Sequence, residues 1–123
     1  RSIIIITNKI IMKIYHNPRC SKSREGLQIL EESGKDFLIV KYLDIPMKKE
    51  EIKKVLELLD ISAEELVRKN EKIWKENYKG KELSEDEIIT AMHENPKLIE
   101  RPIVVNDDKA VIGRPPEKIK DLI

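Results

Sequence analysis

The chain has 123 residues, a length that supports one domain built around one core. Lys plus Arg total 24 against 23 Asp plus Glu, so a net charge of +1 provides no bulk field to draw the chain to nucleic acid. Its single cysteine excludes an internal disulfide and suits a reducing cytoplasm.

Residues 1–11, RSIIIITNKII, are rich in isoleucine and begin with Arg1. Thr7, Asn8 and Lys9 interrupt a run already too short to span a membrane, and a signal peptide's small-residue cleavage site is missing. The segment reads as a vector-derived remnant or an over-extended start, with Met12 as the true start and 12–123 as the single domain. If ordered, its isoleucines add an edge strand or an intermolecular contact.

Ile11, Met12 and Ile14 read as the end of a buried strand, Leu27 and Leu30 fall at helical spacing, and Gly34 supplies a stop. Between them lies His16-Asn17-Pro18-Arg19-Cys20-Ser21-Lys22-Ser23, which places Cys20 at a strand-to-helix turn. Unpaired N–H groups and the dipole at a helix N-terminus stabilise negative charge, which lowers a thiol's pKa and favours the reactive thiolate. The hydroxyls of Ser21 and Ser23 and the cations Arg19, Lys22 and Arg24 add to that field, and His16 is a candidate donor to the sulfur. The competing reading, a small buried hydrophobe, fits these polar and cationic neighbours less well.

Phe37 to Leu43, FLIVKYL, reads as a second strand, completing a βαβ unit with parallel strands and a right-handed crossover. Asp44-Ile45-Pro46 breaks it, and Ile52, Val55, Leu56 and Leu59 then mark a helix with one apolar face. Ser62 with Glu65 opens a short helix carrying Leu66, Val67 and Arg68, and Ser84 with Glu87 opens another through Ile88, Ile89 and Met92. The second must end near Asn95-Pro96. Between these two, Lys69 to Gly80 is polar and irregular, with Trp74 and Tyr78 as packing aromatics.

Ile103-Val104-Val105, a turn at 106–109 and Ala110-Val111-Ile112 read as a β-hairpin, and Pro115-Pro116 starts a last helix. This order predicts an α/β, thioredoxin-like fold: a four-stranded mixed sheet flanked by helices, with a helical insertion after the first βαβ unit. In such folds the peptide at the entry to the third strand, here Arg101-Pro102, is usually cis beside the active cysteine, so a cis Pro102 is expected.

IYHNPRCSKSR, LVRKN, ERPIVV and GRPPE, in that order, resemble the glutaredoxin-coupled arsenate reductases of bacteria, from about Met12 to the last residue. The resemblance implies that Cys20 attacks arsenate while Arg68, Arg101 and Arg114 bind the oxyanion and stabilise the thiolate. Guanidinium suits that task, because it stays charged and offers planar, bidentate donors. The resemblance further implies that His16 orients or stabilises the thiolate, that Ser23 hydrogen-bonds it, and that no metal or bound cofactor takes part. Glutathione would then attack the adduct as co-substrate, glutaredoxin would remove the glutathione, and arsenite would leave. A chain with one cysteine needs such outside thiols.

Other arsenate reductases use a loop of cysteine, five residues and arginine; the sixth residue after Cys20 is Gly26, so that loop is absent. Spx-type regulators share the fold, act by binding RNA polymerase and commonly carry a CxxC switch, but Ser23 holds the place of the second cysteine. A regulator that binds polymerase without using its cysteine, and a thiol oxidoreductase with another substrate, remain the alternative readings. Ser21-Lys22 also stand where family members usually have Gly-Thr.

Overall fold

Side-chain alternation along two short strands decides how this chain is layered. In the computed structural model, which describes residues 12–123, β1 (Met12–Tyr15) sends Met12 and Ile14 into one apolar cluster and Tyr15 into another. A later strand (Ile103–Asn106), β3 in chain order, does the same: Val104 joins the first cluster, and Ile103 and Val105 join the second. All six side chains are buried, so the sheet needs cover on both faces.

With β2 (Phe37–Val40) and β4 (Lys109–Ile112), these strands form one mixed sheet in the order β2-β1-β3-β4. β1 and β2 are parallel, while β1–β3 and β3–β4 are antiparallel. On one face lie α1 (Ser21–Ser33) and a C-terminal 3-10 segment (Pro116–Leu122), which supply Leu30 and Ile119. The other face is covered by α2 (Lys49–Leu59), α3 (Ala63–Leu66), α4 (Lys72–Asn77) and α5 (Glu85–Glu94), which bury Ile52, Leu66, Trp74 and Met92. The fold is therefore the α/β arrangement with a helical insertion expected from the element order.

Local chemistry sets the ends. Gly34 adopts φ 76° and terminates α1 in the left-handed region that glycine enters at no steric cost. Ser84 and Glu87 form a reciprocal capping box at the start of α5.

Several boundaries differ from the sequence reading. β2 ends at Val40 rather than Leu43, because its partner β1 ends at Tyr15, the residue paired with Val40. The chain then turns on the Lys41 carbonyl, which accepts from Asp44 and Ile45 N–H at 3.1 Å each, and this turn buries Tyr42. Val67 and Arg68 lie beyond the one-turn α3, since Val67 is captured in an antiparallel bridge with Ile99. Lys69 to Gly80 is not irregular throughout: α4 forms there, anchored by Trp74, whose ring stacks on Tyr78 at 5.3 Å. The last helix is 3-10 rather than α-helical. The expectations for residues 1–11 lie outside the described residues.

One contact positions the sheet ends against α1. A Cβ at Gly26 would stand 2.8 Å from Ile119 Cδ1 and 2.9 Å from Pro102 Cγ, and a Cβ at Gly113 would meet the same two atoms at the same distances. Only a residue without a side chain admits this approach at either position. A Gly→Ala change inside a helix normally gains about 1 kcal/mol of propensity, but overpacking at a closed site costs about 1–3 kcal/mol. We expect Gly26→Ala to lower the denaturant midpoint, and to lower it less when Ile119→Val removes the Cδ1 atom. A Gly26→Ala protein more stable than its parent would show that this contact does not limit the packing.

Candidate active site

The loop from β1 to α1 is held by its own backbone and by three side chains. Cys20 N–H donates to the Asn17 carbonyl at 3.0 Å, and Arg19 N–H to Asn17 Oδ1 at 3.0 Å. Arg24 Nη1 donates to the Pro18 carbonyl at 3.0 Å. Cys20 is the N-cap of α1, partly exposed, with extended backbone and no side-chain cap bond of its own. The sequence thus places the sulfur at the start of a 13-residue helix, where backbone N–H groups and the helix dipole favour negative charge.

His16 and Ser23 meet each other rather than the sulfur. His16 Nδ1 lies 2.6 Å from Ser23 Oγ, and Ser23 Oγ also accepts from Asn17 N–H at 2.9 Å. Both side chains are buried. Burial, reinforced by the Lys41 and Arg24 charges, holds the His16 imidazole below its ordinary range, so it is neutral near pH 7. The expected direct hydrogen bonds from His16 and Ser23 to the sulfur are therefore replaced by a buried pair that braces the loop. Ser23, in the first turn of α1, lies on its buried side, where its hydroxyl meets His16.

The three arginines reach the site by different routes. Arg114, just beyond β4, is exposed; its Nη1 lies 4.0 Å from Cys20 Sγ and donates to the Arg101 carbonyl at 3.3 Å. It is the side chain that links the cysteine to the entry of β3. The Arg101–Pro102 peptide there is cis, as is Arg114–Pro115. Arg101 itself is buried, and its Nε and Nη1 atoms have no hydrogen-bond partner among the described residues. Such a group costs about 1–3 kcal/mol per unsatisfied donor, a cost that an anionic acceptor removes.

Arg68 is partly buried and paired with Glu71, and its Nε lies 3.8 Å from Glu100 Oε1. The Val67–Ile99 bridge holds these residues together. Arg68 N–H donates to the Leu98 carbonyl at 2.7 Å, and Glu100 N–H to the Leu66 carbonyl at 2.9 Å. Arg68 thus approaches Arg114 through Glu100, whose carboxylate is attracted by both guanidinium groups.

Sequence reasoning missed Glu100, Glu71 and Tyr42. Glu100 precedes Arg101 in ERPIVV, but its proximity to Arg68 arises from a bridge between segments about thirty residues apart. Tyr42 was placed within a strand. Burial pushes its phenol above its ordinary range, and the charges of Arg68, Cys20, Glu100 and Glu71 all act on it. No group of three or more His, Cys, Asp or Glu residues able to hold a metal occurs among the described residues. Nor is any of their helices long and apolar enough to cross a membrane.

Comparison with known proteins finds relatives along most of the described residues. The ArsC family model matches residues 15–122. Over 114 residues the chain is 41% identical to an arsenate reductase of Neisseria meningitidis serogroup A, covering 91% of this chain and 97% of that protein. It is 49% identical over 114 residues to the uncharacterized protein YfgD of Escherichia coli K12, covering 91% and 96%. A solved arsenate reductase of Vibrio cholerae matches with a TM-score of 0.88 at 42% identity, covering 93% of this chain and 98% of that one.

The neutral, buried His16 gives the fold a pH signature. An unfolded chain protonates this imidazole near its ordinary value of 6.5, whereas the folded chain does so only at lower pH. Protons therefore bind preferentially to the unfolded state, and this contribution to stability is lost as pH falls below 6.5. Urea midpoints measured across that range should fall less steeply for His16→Gln than for the parent. Parallel slopes would show that the His16 charge is not linked to folding.

Proposed function

The chain belongs to the ArsC family, and from that membership and the site geometry we propose that it reduces arsenate to arsenite through Cys20. The observation that carries this reading is the pairing of a partly exposed helix-terminal thiol with cations. Arg114 stands beside the sulfur, and Arg101 keeps two buried N–H donors unpartnered. Tetrahedral oxyanions accept hydrogen bonds in the fork geometry that guanidinium presents. Arg101 and Arg114 bind the oxyanion first, and Arg68 joins them from its carboxylate partners.

In the proposed reaction Cys20 Sγ attacks arsenic and an arsenic–oxygen bond breaks, leaving a thiol adduct of As(V). Arg114 and the N-terminus of α1 stabilise the sulfur anion before attack, and the arginines stabilise the charge that builds on arsenate oxygens. His16 and Ser23 act through the loop, fixing the direction of the sulfur. The second thiol needed to deliver the electron pair to arsenic comes from outside, because the chain holds one. Glutathione attacks the adduct, arsenite leaves as As(III), and glutaredoxin reduces the glutathione mixed disulfide left at Cys20. Such chemistry requires a reducing, glutathione-containing compartment, for which the cytoplasm is the proposed location.

The test is arsenate-dependent NADPH oxidation coupled through glutathione, glutathione reductase and a glutaredoxin of confirmed activity. Cys20→Ser should abolish turnover. Removing a preorganised donor costs about 10²-fold or more in rate, and that loss is expected of both Arg101→Ala and Arg114→Ala. A parent protein that leaves arsenate unreduced under these conditions rules out the reading.

A further inference from the structure

Breaking the arsenic–oxygen bond is easier when the departing oxygen receives a proton, and the groups around the site divide sharply in their ability to give one. The arginines stay protonated at any working pH. His16 is neutral and engaged with Ser23, and burial holds the Tyr42 phenol too weakly acidic for the task. Glu71 is hydrogen-bonded directly to Arg68 Nη1 from the start of α4, a closer hold than the 3.8 Å ion pair of Glu100 with Arg68 Nε. Glu100 remains.

We propose that Glu100 takes up a proton as a tetrahedral oxyanion binds among Arg68, Arg101 and Arg114, and delivers it to the oxygen that leaves arsenic when Cys20 attacks. The proposal rests on the arsenate reading above and deepens it. Its geometric basis is the place of the carboxylate: Oε1 lies 3.8 Å from Arg68 Nε on a half-buried side chain, directly before Arg101 in the chain. The backbone bond from Glu100 N–H to Leu66 and the neighbouring Val67–Ile99 bridge fix this residue, so the carboxylate stays near an anion that Arg68 and Arg114 hold.

The surrounding charges explain why the proton arrives with the anion. Burial already raises the Glu100 carboxyl above its ordinary range, while Arg114 and Arg68 oppose that rise. A dianion that engages both guanidinium groups cancels their effect and adds a like charge within a few ångströms. Glu71 adds negative charge from the far side of Arg68. Tyr42 stays neutral throughout.

The step balances. Cys20 Sγ, as thiolate, forms the S–As bond and one As–OH bond breaks, its electron pair leaving with oxygen. That oxygen takes the Glu100 proton and departs as water, leaving Glu100 as carboxylate and arsenic at +5. No electrons pass to arsenic until the outside thiol acts.

The test uses the full chain, the Glu100→Gln, Glu100→Asp and Glu71→Gln variants, and arsenate. Calorimetric titration in two buffers of different ionisation enthalpy counts the protons taken up on binding, and arsenate's own ionisation is common to all four proteins. Parent, Glu100→Asp and Glu71→Gln should take up more protons per arsenate than Glu100→Gln. In glutathione-free single turnovers, adduct formation should be slower by about 10²-fold in Glu100→Gln, the scale of a lost general acid, with Glu100→Asp recovering part of it.

Equal proton counts in parent and Glu100→Gln overturn the proposal, as does an equal rate of adduct formation. Equal losses in Glu71→Gln and Glu100→Gln overturn it too, since both would then act only by placing Arg68. Normal adduct formation in all four proteins leaves arsenate reduction standing without the Glu100 role. Absence of arsenate binding by the parent removes both.

Discussion

The packing of Pro102 and Ile119 against two glycines is the constraint on which the rest of the site depends. Gly26 lies in α1, Gly113 follows β4, and Pro102 precedes β3, so a single apolar contact draws together three segments distant in sequence. Each segment carries one site residue within a few positions: Cys20 at the start of α1, Arg101 before the proline and Arg114 after the second glycine. The Arg114 bonds to the Arg101 carbonyl and towards the sulfur are thus consequences of core packing. A long, flexible arginine on an exposed turn has little reason to stay near a thiol unless its backbone is already placed there.

The three arginines of the proposed oxyanion site sit in different surroundings, and the difference is energetic. Arg101 is buried with unsatisfied donors, so the folded chain bears part of its desolvation cost before any anion binds. Arg68 already interacts with Glu71 and Glu100, so an anion gains from it only what exceeds those contacts. Arg114 is exposed, and water screens what it contributes. In the proposed site the buried group would therefore supply most of the binding incentive, with the other two adjusting geometry and charge. A guanidinium suits the buried position better than an ammonium, because it is less strongly hydrated and cannot lose its proton there.

Most of the layering was legible in the sequence because it rests on short-range patterns. The apolar runs of β1 and β3, the apolar face of α2 and the cap at Ser84 are signals carried by adjacent residues. What escaped was set by contacts across the chain. β2 stops where β1 stops, which FLIVKYL alone does not reveal, and α4 depends on burying Trp74 against the other helices. For the site, the family motifs singled out Cys20 and the arginines, whereas Glu100 and Tyr42 became visible only when the Val67–Ile99 bridge and the turn at Lys41 were in place. The pairing of Ser23 with His16 was hidden for the same reason, since helix phase rather than sequence distance decides which way a hydroxyl faces.

That pairing also bears on how a reaction at Cys20 is completed. Ser23 occupies the position from which a second thiol, three residues on, would attack an adduct from within the chain, and its hydroxyl is already satisfied by His16 and the Asn17 amide. The same three residues that leave the sulfur unresolved from inside also hold the loop that presents it. Beside the loop, a groove of about 880 Å³ runs from His16–Arg19 past Lys41 and Lys72 to Lys97, with Glu71, Glu76 and Glu94 among its walls. Cys20 is partly exposed and Arg114 is exposed, so an incoming thiol approaches from solvent without opening the core. A braced loop, a satisfied serine and an accessible sulfur suit the separate reducing partner of the proposed reaction.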